Sequence, residues 1–167
     1  MENKDFTVTK ELFATRGQRF LNCLIDLVIL YIIWISIGFT LIVIADISNS
    51  YELSERIETM NGLEQFLSGT VIMILYYGFM EINFSRTIAK YFTKTFVVMR
   101  DGSKPDAKTI VKRTLCRFIP FEAITFLNIH SRGWHDAFSQ TYVVKKHEFN
   151  EKKRLFVPSD QVGDNVI

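Results

Sequence analysis

Arg19 and Asp26 lie seven residues apart, two turns of a helix, so their side chains share one face. Both sit at the edge of a long apolar run. If that run enters a bilayer near Phe20, Asp26 lies ~9 Å inside the hydrocarbon at 1.5 Å per residue. An unpaired carboxylate there costs ~2.5–3.5 kcal/mol on insertion scales, so Asp26 must face a bundle interior, meet a cation or take a proton. Arg19 is ~11 Å away along the axis, which leaves a water-bridged contact with Arg19 or a direct one with Arg113 or Arg117. Glu81 reaches a similar depth in the second apolar run, so Asp26 and Glu81 can flank one polar site. Two chemistries suit such groups. Carboxylates in low dielectric bind and release a proton or a monovalent cation, or they form a structural lock with arginines.

The elements that would carry these groups follow from hydropathy. Leu27 to Ala45 is free of charge, and residues 20–45 are interrupted only by Asn22 and Asp26. Residues 66–84 carry a single carboxylate, Glu81. About 20 apolar residues cross the hydrocarbon core, so both runs are expected to be transmembrane helices forming a hairpin. The first is apolar all round, unlike the core helix of a soluble protein. It is too long, and its flanks too mixed in sign, for a cleaved signal peptide. Tyr76 and Tyr77 would sit in an interfacial aromatic belt.

Charge sets the expected orientation. Of 20 Lys and Arg, residues 1–19 hold four, the connection 46–65 holds only Arg56 beside five acids, and residues 86–167 hold 15. The positive-inside rule then places both termini in the cytoplasm. The net charge of +2 over 167 residues is thus an acidic outer loop offsetting a basic inner face. Such a face suits anionic lipid headgroups. No RNA-binding module or helix-turn-helix pattern appears, so nucleic acid is not an expected partner.

The cytoplasmic part is expected to begin with a helix capped by Ser85 and running through Lys94. Its Arg86, Lys90 and Lys94, four apart, would contact headgroups. Thr95 to Met99 reads as a strand ended by an Asp101-Gly102 turn. Thr141 to Lys145 repeats the strand pattern and could pair with it. Ala107 to Arg117 reads as a basic helix. Residues 110–129 include an apolar stretch too short to span, and a re-entrant or interfacial segment is expected there. The fold class is an all-α membrane hairpin with amphipathic helices and a small ribbon. Residues 1–148 form the membrane domain and 149–167 a polar, disordered tail.

Enzymatic chemistry finds little support. His130 and His135 are five apart with Gly133 between them, a poor spacing for two ligands on one helix face. Cys23 and Cys116 cannot form a disulfide scaffold or a four-cysteine site. No phosphate loop or nucleophile elbow appears, and no cofactor or metal is expected.

The motifs together resemble one family. Residues 14–26, Ala-Thr-Arg-Gly-Gln-Arg-Phe-Leu-Asn-Cys-Leu-Ile-Asp, are similar to the opening of the RDD family of small bacterial membrane proteins. Residues 133–144, Gly-Trp-His-Asp-Ala-Phe-Ser-Gln-Thr-Tyr-Val-Val, resemble its closing motif. Thr87-Ile88-Ala89-Lys90 is similar to its Thr-x-Gly-Lys segment, with Ala89 where glycine is usual. The resemblance makes Arg19 the family arginine and Asp26 and Asp136 its two aspartates. It implies a small protein of a bacterial inner membrane, and some family members are proposed to take part in transport. The residues themselves favour an assembly or adaptor protein, as a homo-oligomer or with a membrane-protein partner, in which Arg19, Asp26 and Asp136 form a polar lock; the alternative is a component of a cation or proton transporter using Asp26 and Glu81.

Overall fold

The computed structural model describes residues 6–118 and 133–156. Helix α1 (Arg16–Ile47) opens on a reciprocal cap: Gln18 N donates to Thr15 Oγ1 at 3.2 Å, and Thr15 N donates to Gln18 Oε1 at 2.9 Å. This satisfies two backbone donors that a helix start leaves open. After the short helix α2 (Tyr51–Glu58), α3 (Gly62–Phe84) opens the same way on Asn61 and Glu64, at 3.0 Å in both directions.

Helices α1 and α3 are long and apolar enough to cross a membrane, with mean hydropathy of 2.8 and 1.3 in their most apolar windows. Almost none of either window is covered by protein: Leu27, Tyr31, Ile35, Phe39, Leu67, Val71 and Leu75 all stand exposed. A core helix would have hidden them, and lipid is the medium in which they are at ease. The two run antiparallel as a hairpin. Trp34 Nε1 donates to Ser68 Oγ at 3.3 Å at one level, and Asp26 meets Tyr76 at another. At 32 residues α1 is ~48 Å long, more than the ~30 Å hydrocarbon core requires, so part of it stands outside.

The remaining elements gather at the Arg19 end of the hairpin. They are α4 (Ile88–Phe92), β1 (Thr95–Val98), α5 (Ala107–Cys116), α6 (Trp134–Phe138), β2 (Tyr142–Lys145) and α7 (Lys146–Phe156). Strands β1 and β2 pair antiparallel, Phe96 opposite Val144 and Val97 opposite Val143. The pleat sends these pairs to opposite faces. Phe96, Val98 and Val144 pack with Leu12 and Phe149, whereas Val97 and Val143 pack with Ala14. Ala14 N donates to Val143 O at 2.9 Å, so the segment before α1 ties the ribbon to the hairpin. Both faces of a ribbon that would be marginal alone are thereby covered.

The expected spans, strand pair, Asp101-Gly102 turn and basic α5 match these elements. Other expectations are corrected. Ser85 does not start a helix: it ends α3 in the left-handed conformation, φ 55°, with its N–H on Glu81 O. The following helix is only Ile88–Phe92, so Arg86 and Lys94 flank it rather than share its face. The chain does not turn polar and loose at residue 149. It forms α7, where Phe149 is a core residue stacked edge-on against Phe96 at 5.1 Å. Residues 119–132, which hold most of the expected third segment, and residues 157–167 lie outside the described residues.

Candidate functional site

The polar side chains of α1 follow helical spacing. Arg19, Asn22 and Asp26 are buried on one face while Phe20, Leu24 and Leu27 are exposed on the other. That face looks toward α3, α4, β1 and α6, and each polar group finds a specific partner there.

Asp26 is held by neutral donors. Tyr76 O–H donates to Oδ1 at 2.7 Å and Thr87 O–H to Oδ2 at 2.8 Å, with Ala89 N at 3.4 Å from Oδ1. Among the described residues it has no ion-pair partner, so neither Arg113 nor Arg117 neutralises it. Thr87 occupies the cap position of α4, yet its hydroxyl serves Asp26 rather than the helix. Asn22 accepts from Thr93 O–H at 2.6 Å and donates to Thr95 Oγ1 at 3.2 Å, which fixes the start of β1 against α1.

Glu81 is the carboxylate with cations around it. Lys90 Nζ lies at 2.7 Å from Oε1, Arg117 Nη2 at 3.0 Å from Oε1 and Arg113 Nε at 2.9 Å from Oε2. Arg113 then turns its Nη1 to Asp136, which also pairs with Arg19. His135 Nε2 lies 3.2 Å from Asp136 Oδ1, and Thr141 Oγ1 accepts from Arg113 Nη1 at 2.6 Å. One guanidinium thus bridges a carboxylate on α3 and another on α6, all three side chains fully buried.

Electrostatics outside the spans follow from this packing. Burial works to raise the Asp136 pKa, but Arg113, His135 and Arg19 outweigh it and hold the carboxyl well below its usual range. Burial, aided by Arg113 and Arg117 against the pull of Asp136, pushes His135 down to about 3. Its imidazole is therefore neutral at pH 7 and can donate to Asp136 through Nε2. Burial lowers the Lys90 pKa against the attraction of Glu81. Burial opposes the charge of Arg117 too, but Glu81 prevails and its pKa is raised. The Arg117 guanidinium also stacks 3.9 Å from the Tyr77 ring centroid.

The structure brings Arg19, Asp26, Glu81, Arg113, Arg117 and Asp136 into one cluster. It removes Lys90 from any headgroup role, because Lys90 is 4% exposed and bound to Glu81. Arg86 is half-buried, 4.3 Å from the Tyr91 ring centroid, and Lys94 is exposed. Tyr76 and Tyr77 are buried against the polar cluster, not set in an aromatic belt. Ala89 is fully buried with its N–H toward Asp26, so its methyl is accommodated at this position.

Sequence reasoning missed Asn22, Thr87 and Thr141 as network members and treated His135 as packing. The i, i+4 spacing of Arg113 and Arg117 was the available signal for a shared acidic partner. A cavity of about 60 Å³ opens beside the cluster, lined by Arg19, Asp26, Lys90, Arg113 and Arg117 among others. No group of three potential metal ligands occurs among the described residues.

The model of the RDD family matches residues 13–140, from the segment before α1 through α6. Comparison with curated proteins and with solved structures finds no match.

Proposed function

The chain belongs to the RDD family, and from that premise we propose that it is a non-enzymatic, membrane-embedded assembly or adaptor protein. Its buried Arg/Asp/Glu cluster acts as a structural lock. The observation that carries this reading is Arg113, which joins Glu81 of α3 to Asp136 of α6 inside the protein. Buried carboxylates held this way between arginine and lysine side chains hold a shape rather than readily exchanging protons or ions. The lock fastens the cytoplasmic elements to the hairpin and so presents them to a second copy or a membrane-protein partner. The Lys and Arg distribution supports both termini in the cytoplasm and contact with anionic lipid at an inner membrane.

In-membrane crosslinking of the full chain, followed by purification, tests the assembly role. A discrete homo-oligomer or a reproducible membrane-protein partner is expected. Recovery of uncrosslinked monomer alone at native expression level counts against it.

One observation favours a second reading, a component of a cation or proton transporter. Asp26 borders the cavity and, among the described residues, is hydrogen-bonded by neutral donors and by no cation. Asp26→Asn in a salt-sensitive host, with cation tolerance and vesicle pH followed, separates the two. Unchanged responses remove the transport reading.

A further inference from the structure

Among the described residues the buried cluster holds more positive than negative groups. Arg19, Lys90, Arg113 and Arg117 face Asp26, Glu81 and Asp136, four formal charges against three. Six of these seven side chains are buried, and Arg117 is 12% exposed. His135 adds no charge near neutral pH, since burial keeps its pKa at about 3. The surplus is accompanied by unused donors. Arg19 Nε and Nη2, Arg113 Nη2 and Arg117 Nε are buried and have no hydrogen-bond partner among the described residues.

All three guanidiniums line the same cavity. Leaving such donors without an acceptor is costly, and leaving a surplus charge in low dielectric more so. Among the described residues the carboxylates at the cavity are committed. Asp26 takes its bonds from Tyr76, Thr87 and Ala89, and Asp136 takes its own from Arg19 and Arg113. A cation entering this space would meet four positive side chains. A cavity of about 60 Å³ has room for several water-sized positions, one water needing about 10–15 Å³.

We infer that this cavity, between Arg19, Arg113 and Arg117, is a binding site for one small anion. The anion's charge offsets the surplus, and its acceptor atoms take up the open guanidinium N–H groups. A free halide or phosphate ion and the phosphate of a lipid headgroup share this chemistry. The inference rests on the geometry of the cluster and not on the adaptor role. An absent oligomer would leave it standing.

The test uses the full chain in uncharged maltoside micelles, with gluconate as the sole anion at fixed ionic strength. Chloride, bromide or inorganic phosphate then replaces gluconate while the unfolding midpoint is followed. A saturable rise of about 3–6 °C at tenfold over half-saturation is expected from a free ion. In a parallel arm phosphatidylglycerol is added in gluconate alone. A rise there with loss of the response to chloride identifies a headgroup phosphate and equally supports the site. A flat midpoint in both arms, as water filling the cavity would give, overturns it.

Cys23 lines the same cavity and is not in the ion-pair network. Cys23→Asp tethers a carboxylate among the guanidiniums and should weaken the anion response at least tenfold, whereas Cys23→Ser should keep it. If Cys23→Asp does not fold, Arg117→Gln is read the same way, because it removes the surplus charge. A full response retained in the folded variant overturns the inference.

Discussion

Arg19 and Asp136 stand 117 positions apart in the chain and form an ion pair with almost no exposure to solvent. The pair closes α6 and the elements packed around it onto the first turns of α1. Arg113 shares the same carboxylate from α5 and carries the connection on to Glu81 of α3. Asp136 is therefore the point on which two cations converge, whereas Arg19 is one of several partners that Asp136 has.

That asymmetry makes an ordered prediction. Asp136→Asn leaves Arg19 and Arg113 facing a neutral amide in a buried site, at a cost of about 3–5 kcal/mol. Arg19→Gln leaves Asp136 with Arg113 and His135, and should cost about 1–3 kcal/mol. Reversible unfolding in mixed micelles measures both. Equal losses would show that Arg113 does not compensate as the geometry requires.

Asp26 should behave differently because its donors are hydroxyls. In Asp26→Asn the side-chain NH₂ can donate to Thr87 Oγ1, since that hydroxyl can rotate to accept. The substitution should cost about 1 kcal/mol. Asp26→Leu strips both Tyr76 and Thr87 of their buried acceptor and should cost about 1–3 kcal/mol for each. A chain that unfolds as readily with Asn as with Leu would mean that Asp26 needs its charge, not only its acceptors.

The spans were legible because hydrophobic length needs no knowledge of neighbours, and the strand pair because Thr95 to Val98 and Tyr142 to Lys145 repeat a pattern. The ionisable residues were legible as a set, since charges beside an apolar run demand an explanation. Their pairing was not. Residues 113 and 136 meet only once α5 and α6 pack together, and no spacing along the chain encodes that contact. Lys90 was misplaced for the same reason. Its spacing from Arg86 and Lys94 suggests a solvated face, but the turn at Ser85 redirects it toward Glu81. Phe149 was read as part of a polar tail because its sequence neighbours are charged, although a single aromatic in a helix turn is enough to dock it.

His135 gives the protein a pH dependence of definite sign. Its folded pKa, about 3, lies below the ordinary 6.5 of an imidazole in an unfolded chain. Between those values the unfolded chain binds a proton that the folded one does not. Stability from this group is therefore fully present above pH 6.5 and is lost as pH falls from 6.5 toward 3. The slope is about 1.4 kcal/mol per pH unit for one proton. Asp136 has its folded pKa depressed, so its contribution holds above 3.8 and is lost only as pH falls below that. The interval from pH 6.5 to pH 5, above the range where the carboxylates titrate in the unfolded chain, thus isolates His135. Unfolding midpoints of the parent chain should fall across it, and those of His135→Gln should stay nearly level. Parallel slopes would mean that another group titrates there.

Phe149 decides whether α7 belongs to the folded unit. Its ring packs with Phe96, Val98, Val144 and Leu12, and meets Phe6 edge-on at 5.4 Å. Gly102, at φ 77°, keeps the approach open: a Cβ there would lie 2.6 Å from the Phe6 ring and 3.1 Å from that of Phe149. Removing the Phe149 ring from this core should cost about 3–5 kcal/mol. Gly102→Ala, which displaces Phe6 and strains the turn, should cost about 1–3 kcal/mol. Because the same ring holds the segment before α1, Phe149→Ala should expose residues 6–13 to limited proteolysis while leaving the hairpin resistant. Cleavage confined to sites after residue 149, with the amino-terminal segment still protected, would show that α7 is dispensable to the core.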